Sequence, residues 1–221
     1  MLEAVIFDMD GVIVDTEPVY FRAINEFLGK FGYSIDKRYN EKLFGISAYD
    51  AWAAMKQDFE LEDVSVEECV QEMEKIRNRI IHDEGYQPIP GTVSLIRELH
   101  GAGIPLAVAS SSALRDIEDV TESLGVRNCF CDLVSGRDEC KNAKPFPDVF
   151  LKAAKKLGAA PEKCLVIEDS DNGALAAKRA GMRIIGFKNQ GFGNQSLEDA
   201  NYIVTSMEDV NLKLCQKVGE L

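Results

Sequence analysis

The sequence predicts an α/β fold: a parallel sheet with helices on both faces, interrupted early by an inserted helical bundle. Three observations predict it. Short apolar runs rich in β-branched residues recur along the chain, mostly with helical patterns between them, as at Ala4-Val5-Ile6-Phe7 and Cys164-Leu165-Val166-Ile167. These runs are nearly continuous in apolar residues, which is the pattern of strands buried on both faces. From about Glu17 to Tyr86 no convincing strand occurs and helical periodicity takes over.

Strands are expected at Ala4 to Phe7, Ile104 to Ala109, Asp132 to Ser135, Cys164 to Ile167, Arg183 to Phe187 and Tyr202 to Val204. Leu114, Ile117, Val120, Thr121 and Leu124 mark one helical face that Gly125 ends, and Val149, Phe150, Ala153, Ala154 and Leu157 mark another before Gly158. In the insert, Ile24, Phe27, Leu28 and Phe31 form one stripe. Trp52 and Met55 belong to a second segment, and Cys69, Met73, Ile76 and Ile80 to a third. The expected division is a core of residues 1–16 and 87–221 and a helical cap of residues 17–86. Asp15 to Pro18 and Gln87-Pro88-Ile89-Pro90-Gly91 serve as linkers, with hinges near Thr16 and Gln87.

Composition narrows the function. With 221 residues, 46% of them hydrophobic and 28% charged, the chain can bury its own core. A net charge of -12 without a block of Lys and Arg speaks against nucleic acid as a partner. No run approaches the ~20 apolar residues that cross a bilayer, so no membrane partner is expected. Six cysteines show neither zinc-ligand spacing nor a signal-peptide context, and are expected as reduced thiols in a cytoplasmic protein. His82 and His100 lie in polar stretches and are read as solvated.

Chemistry concentrates at the ends of the apolar runs, where an open parallel sheet binds its ligands. Asp8 and Asp10 stand one residue apart after the first run, and strand alternation points them the same way. Gly11 then lets the chain turn. Two adjacent carboxylates require a cation or a retained proton. Ser110 follows the second run and precedes a helix, with Ser111 and Ser112 available as caps. Free helix N-terminal amides there suit a phosphate oxygen. Lys144, in Lys144-Pro145-Phe146-Pro147-Asp148, is placed to be held inward. Glu168-Asp169 adds a second acidic pair. Asp8, the Asp10 backbone carbonyl, Asp169 and Glu168, directly or through water, form a plausible Mg2+ set.

These four motifs, in this order, resemble the signature of the haloacid dehalogenase superfamily of phosphotransferases over essentially the whole chain. The resemblance implies a Rossmann-like core, Mg2+ dependence, a phosphoaspartate on Asp8 and acid/base work by Asp10. Ser110 and Lys144 would orient the phosphoryl group, giving Asp8, Asp10, Lys144 and Ser110 as the catalytic set. Substrate contacts are expected from Gly11, Ser111, Glu17 and Tyr20, with Arg77 and Arg79 as cap candidates that a solvated helix face explains equally well. Asp10 speaks against a dehalogenase and against the phosphonate-cleaving branch. The chain is also similar to β-phosphoglucomutases, but those are expected to carry His where Tyr20 stands and Arg after Gly45-Ile46-Ser47, where this chain has Ala48. Asp15-Thr16-Glu17-Pro18 looks like phosphatases of phosphorylated sugars. No charged site residue is missing, which weighs against a scaffold. The expected function is a monomeric, Mg2+-dependent phosphatase of small phosphate esters, with a sugar-phosphate mutase as the alternative.

Overall fold

The computed structural model describes residues 2–43, 46–189 and 195–221. Among them, strands β1 (Ala4–Phe7), β2 (Leu106–Ser110), β3 (Asp132–Ser135), β4 (Cys164–Glu168), β5 (Arg183–Phe187) and β6 (Tyr202–Val204) form one sheet, every neighbouring pair parallel, in the order β3-β2-β1-β4-β5-β6. The helices are α1 (Glu17–Gly29), α2 (Lys37–Asn40), α3 (Ala48–Asp58), α4 (Val66–Glu84), α5 (Thr92–Gly101), α6 (Leu114–Ser123), α7 (Gly136–Glu139), α8 (Asp148–Leu157), α9 (Asp171–Arg179) and α10 (Leu212–Gly219). The chain divides into two compact units, Met1–Asp15 with Tyr86–Leu221, and Thr16–Gly85.

Side-chain alternation explains why the sheet of the first unit is covered twice. Val5 and Phe7 of β1 enter a core with Leu95 and Leu99 of α5, Ile117 of α6 and Val218 of α10. Ala4 and Ile6 enter a second core with Phe150 and Ala153 of α8 and Ala174 and Ala177 of α9. All four β1 residues are buried, and so are all five of β4. Each large apolar side chain buried this way contributes about 1.5–3 kcal/mol, which anchors the central strands most firmly. β2 begins at Leu106, two residues later than expected, because Pro105 has no N–H to give the ladder and the Ile104 N–H closes the turn after α5 on Leu99 O at 3.1 Å. β4 runs one residue further than expected, to Glu168, which pairs with Gly186.

Helices are the only regular secondary structure among the described residues of the second unit. Its core gathers Ile24, Phe27 and Leu28 of α1, Trp52 and Met55 of α3, and Cys69, Met73, Ile76 and Ile80 of α4. The Phe27 and Trp52 rings meet edge to face at 5.0 Å. α4 starts on a reciprocal capping box between Ser65 and Glu68. Phe31, expected on the α1 stripe, lies past the end of that helix and is 39% exposed, since α1 stops at Gly29.

Candidate active site

β1 stops at Phe7, yet its alternation carries on: Met9 joins Phe7 in the first core, and Asp8 falls on the side of Ile6. The Asp8 N–H still donates to Ile167 O at 2.9 Å, fixing Asp8 at the sheet edge. Asp10 is placed by a turn rather than by the strand. The Gly11 N–H donates to Val14 O at 2.8 Å, the Ile13 N–H to Met9 O at 2.8 Å, and the buried Thr92 hydroxyl holds Val12 O at 2.8 Å. Gly11 has a φ of 79°, and a Cβ there would collide with the Asp169 carboxyl. Both facts require glycine.

Lys144 joins the acidic groups. Its ammonium donates to Asp8 Oδ1 at 2.6 Å and to Glu168 Oε2 at 2.7 Å, with the Lys144 side chain only 8% exposed. It also lies 4.8 Å from the centre of the Phe150 ring. Asp148, at the start of α8, steadies the preceding loop by accepting from the Asn142 N–H and side-chain amide, each at 3.1 Å. Glu168 Oε1 accepts from the Asp169 N–H at 3.1 Å, the Ser170 N–H at 3.0 Å and the Ser170 hydroxyl at 2.8 Å. Gly173 lets the first turn of α9 approach, because a Cβ there would strike the Glu168 carboxyl.

Asp8, Glu168 and Asp169 are all buried, and each offers an oxygen within 4.8 Å of the others. One ammonium cannot balance three carboxylates. Burial, the Glu168 charge and the Asp10 charge push the Asp8 carboxyl up to about 8 against the pull of Lys144. Burial, then repulsion from Glu168 and Asp8, likewise holds Asp169 well above its ordinary value. Burial alone would lower the Lys144 ammonium, but the charges of Asp8 and Glu168 outweigh it and raise it. The cluster lacks positive charge, and hard oxygen donors at this spacing fit a divalent cation.

Ser110 ends β2, 1% exposed, with its hydroxyl 3.5 Å from Asp10 Oδ2. The serines after it do not cap α6, contrary to expectation: the N-cap is Ala113, and the Leu114 N–H is taken by Asp138 Oδ2 at 2.7 Å. Ser112 instead donates to Asp10 Oδ2 at 2.8 Å. Ser111 lines a cavity with Arg137, Asn142 and Lys144. Asp8, Asp10, Gly11, Ser110, Ser111, Lys144, Glu168 and Asp169 thus belong to one unit, whereas Glu17 and Tyr20 belong to the other. There Asn40 donates to Glu17 Oε2 at 3.1 Å, and Arg77 donates to the Tyr20 hydroxyl at 2.9 Å. Arg79 pairs with Glu26 at 2.5 Å. Gly45 lies outside the described residues; Ser47 caps α3 through the Asp50 N–H, so Ala48 opens that helix. His82 and His100 are exposed.

Sequence reasoning missed Ser112, Ser135 and Ser170 as site supports. A signal for two of them was present, since Ser135 and Ser170 end or follow strands just as Ser110 does.

Residues 2–181 match the hydrolase family described as haloacid dehalogenase-like hydrolase. This chain belongs to the haloacid dehalogenase-like hydrolases. The hydrolase is 32% identical over 184 residues to the phosphorylated carbohydrates phosphatase of Thermotoga maritima, covering 83% of this chain and 84% of that one. It is 33% identical over 210 residues, or 95% of its length, to the bifunctional riboflavin kinase/FMN phosphatase of Arabidopsis thaliana, but spans only 54% of that protein. Among solved structures, β-phosphoglucomutase from Clostridium difficile superposes with a TM-score of 0.80 at 30% identity, covering 100% of this chain and 98% of the other. Both curated relatives carry a phosphatase activity in their names, whereas the solved structure is that of a mutase. None of its described helices is long and apolar enough to cross a membrane.

Proposed function

We propose that this hydrolase is a divalent-cation-dependent phosphatase of small phosphorylated metabolites, with sugar phosphates as the favoured class. The observation that carries the reading is the buried cluster in which Lys144 bridges Asp8 and Glu168 beside Asp169, short of positive charge. Mg2+ fits that deficit, held by Asp8, Asp169 and the Asp10 carbonyl, with Glu168 already engaged by Lys144 and the Ser170 turn. When bound it would keep Asp8 ionised and offset charge on the phosphoryl oxygens. The phosphorylated carbohydrates phosphatase relative supports the substrate class. The first unit serves as the catalytic core and the second as a cap. We assign the enzyme to a reducing cytoplasm, supported by its free cysteines, and as a monomer.

In this mechanism Lys144 holds Asp8 Oδ1, leaving Oδ2 to attack phosphorus. A bond forms from Asp8 to phosphorus as the bond to the leaving oxygen breaks, and Asp10 gives that oxygen its proton. Lys144 and Ser110 orient the transferring oxygens and stabilise their charge. Asp10 then takes a proton from water, whose oxygen attacks phosphorus, and the aspartyl phosphate breaks to release inorganic phosphate and the Asp8 carboxylate. Phosphorus NMR with Mg2+, a panel of hexose and pentose phosphates, β-glucose 1-phosphate and trace glucose 1,6-bisphosphate tests the reading. Inorganic phosphate that accumulates with the native enzyme and not with Asp8→Asn is the expected result. Conversion of β-glucose 1-phosphate to glucose 6-phosphate without phosphate release would instead establish a mutase, the reading favoured by the likeness to the Clostridium difficile enzyme.

A further inference from the structure

We infer that Ser112 is a positioning residue for Asp10, fixing Asp10 Oδ2 so that Oδ1 is the oxygen that carries the proton to the leaving group. The inference rests on the proposed phosphatase reading and extends it to a residue outside the motifs. Three polar groups of Ser112 are each committed. Its N–H donates to Ser110 Oγ at 3.0 Å, its carbonyl accepts from Ser135 Oγ at 2.7 Å, and its hydroxyl donates to Asp10 Oδ2 at 2.8 Å. Ser135 is itself fully buried at the end of β3, opposite Ser110 in the β2–β3 register, and accepts from the Asp138 N–H at 3.0 Å. The hydroxyl that meets Asp10 therefore stands on a backbone pinned from two strand ends.

That arrangement matters because Asp10 is placed by a turn and not by a strand. The turn fixes its backbone; nothing in the turn fixes its carboxyl. Ser110 Oγ, at 3.5 Å, is too distant to hold the carboxyl firmly. A single hydroxyl at 2.8 Å does hold it, and because it occupies Oδ2 it leaves the other oxygen for chemistry. As the phosphorus–oxygen bond of the substrate breaks, the proton on Oδ1 passes to the departing oxygen, Asp8 gains the phosphoryl group and Asp10 becomes a carboxylate. A freely rotating carboxyl would spend much of its time out of line for this transfer.

The test exploits the leaving group. An alkyl phosphate such as glycerol phosphate needs a proton on its leaving oxygen, whereas p-nitrophenyl phosphate leaves as a stable anion. Rapid-quench measurement of the first, phosphoryl-transfer step should show Ser112→Ala slowing the alkyl ester about tenfold or more, with the p-nitrophenol burst within about twofold of the native rate. Ser112→Thr, which keeps the hydroxyl, should restore the alkyl ester to within a few-fold of native. Equal slowing of both esters, no slowing of the alkyl ester, or failure of folded Ser112→Thr to restore it overturns the inference. A native enzyme inactive on both esters overturns the phosphatase reading itself, and this inference with it.

Discussion

Replacing Lys144 by Met probes the charge balance of the site directly. The side chain becomes one heavy atom shorter, stays unbranched and loses its charge, leaving Asp8, Glu168 and Asp169 buried together with no ammonium. At an effective dielectric of about 20, an ion pair at 2.6 or 2.7 Å represents about 6 kcal/mol of direct attraction. The loss is smaller than two such terms, because the carboxyls take up protons at about 1.4 kcal/mol per unit of pKa displacement instead of staying ionised. Breaking a buried pair by removing one partner costs about 3–5 kcal/mol, and that is the expected destabilisation. Urea unfolding at neutral pH, first with chelator and then with Mg2+, measures it. Mg2+ should return more stability to Lys144→Met than it adds to the native protein, since the variant lacks more positive charge. Lys144→Met combined with Glu168→Gln should lose less than Lys144→Met alone, because the second change removes a carboxylate that has lost its partner. A loss under about 1 kcal/mol, or a double variant whose losses merely add, would falsify the account of Lys144 as the electrostatic keystone of three carboxylates.

The remaining predictions follow from the same geometry. Asp8→Asn should abolish turnover and the acid-stable phosphoenzyme measured with labelled substrate, whereas Asp10→Ala should slow both half-reactions by about 10²–10⁴. Because the folded-state Asp8 carboxyl stands near 8, above its ordinary value, protonation favours the folded metal-free protein. That contribution is fully present at pH below the ordinary carboxylate range and is lost as pH rises through about 8, a dependence that Asp8→Asn removes and that the difference between native and variant chelator-treated unfolding curves reports. Gly173→Ala would drive a methyl into Glu168, so about 1–3 kcal/mol of stability and much of the Mg2+ affinity should be lost, read by calorimetry. Mg2+ with a phosphate-mimicking fluoride should raise the melting temperature of the native enzyme; an unchanged temperature counts against an assembled site.

How legible the site was depended on how each residue is placed. Asp8, Ser110 and Glu168 sit at ends of apolar strands, and a short apolar run followed by a polar residue can be read directly from a sequence. Lys144 was suggested by its two prolines, but its salt bridges span 136 and 24 residues and have no local signature. Ser112 was misread because a serine before a helix ordinarily caps it; Asp138, from a different segment, took the amide at Leu114 and released the serine for Asp10. Asp10 was expected beside Asp8 from strand alternation, but β1 ends at Phe7 and a turn through Gly11 sets the Asp10 backbone instead. The helical stripes of α1, α3 and α4 were readable because periodicity is local, yet Phe31 was included because a stripe does not announce where its helix stops.

β1 lies at the centre of the sheet, flanked by β2 and β4, although both neighbours come far later in the chain. Assembly is therefore bound to an order. During synthesis Asp8 exists long before Lys144 or Glu168, and a partly made chain holds the aspartate without either of them. The strand that carries it can be paired on both sides only once residue 168 has been added and brought back across the intervening helices, a closure of high contact order. A chain cut short of β4 would leave the β4-facing edge of this apolar strand unpaired, inviting aggregation. The site's parts therefore meet only when the sheet closes, and the chain is most vulnerable during the interval in which that topology is incomplete.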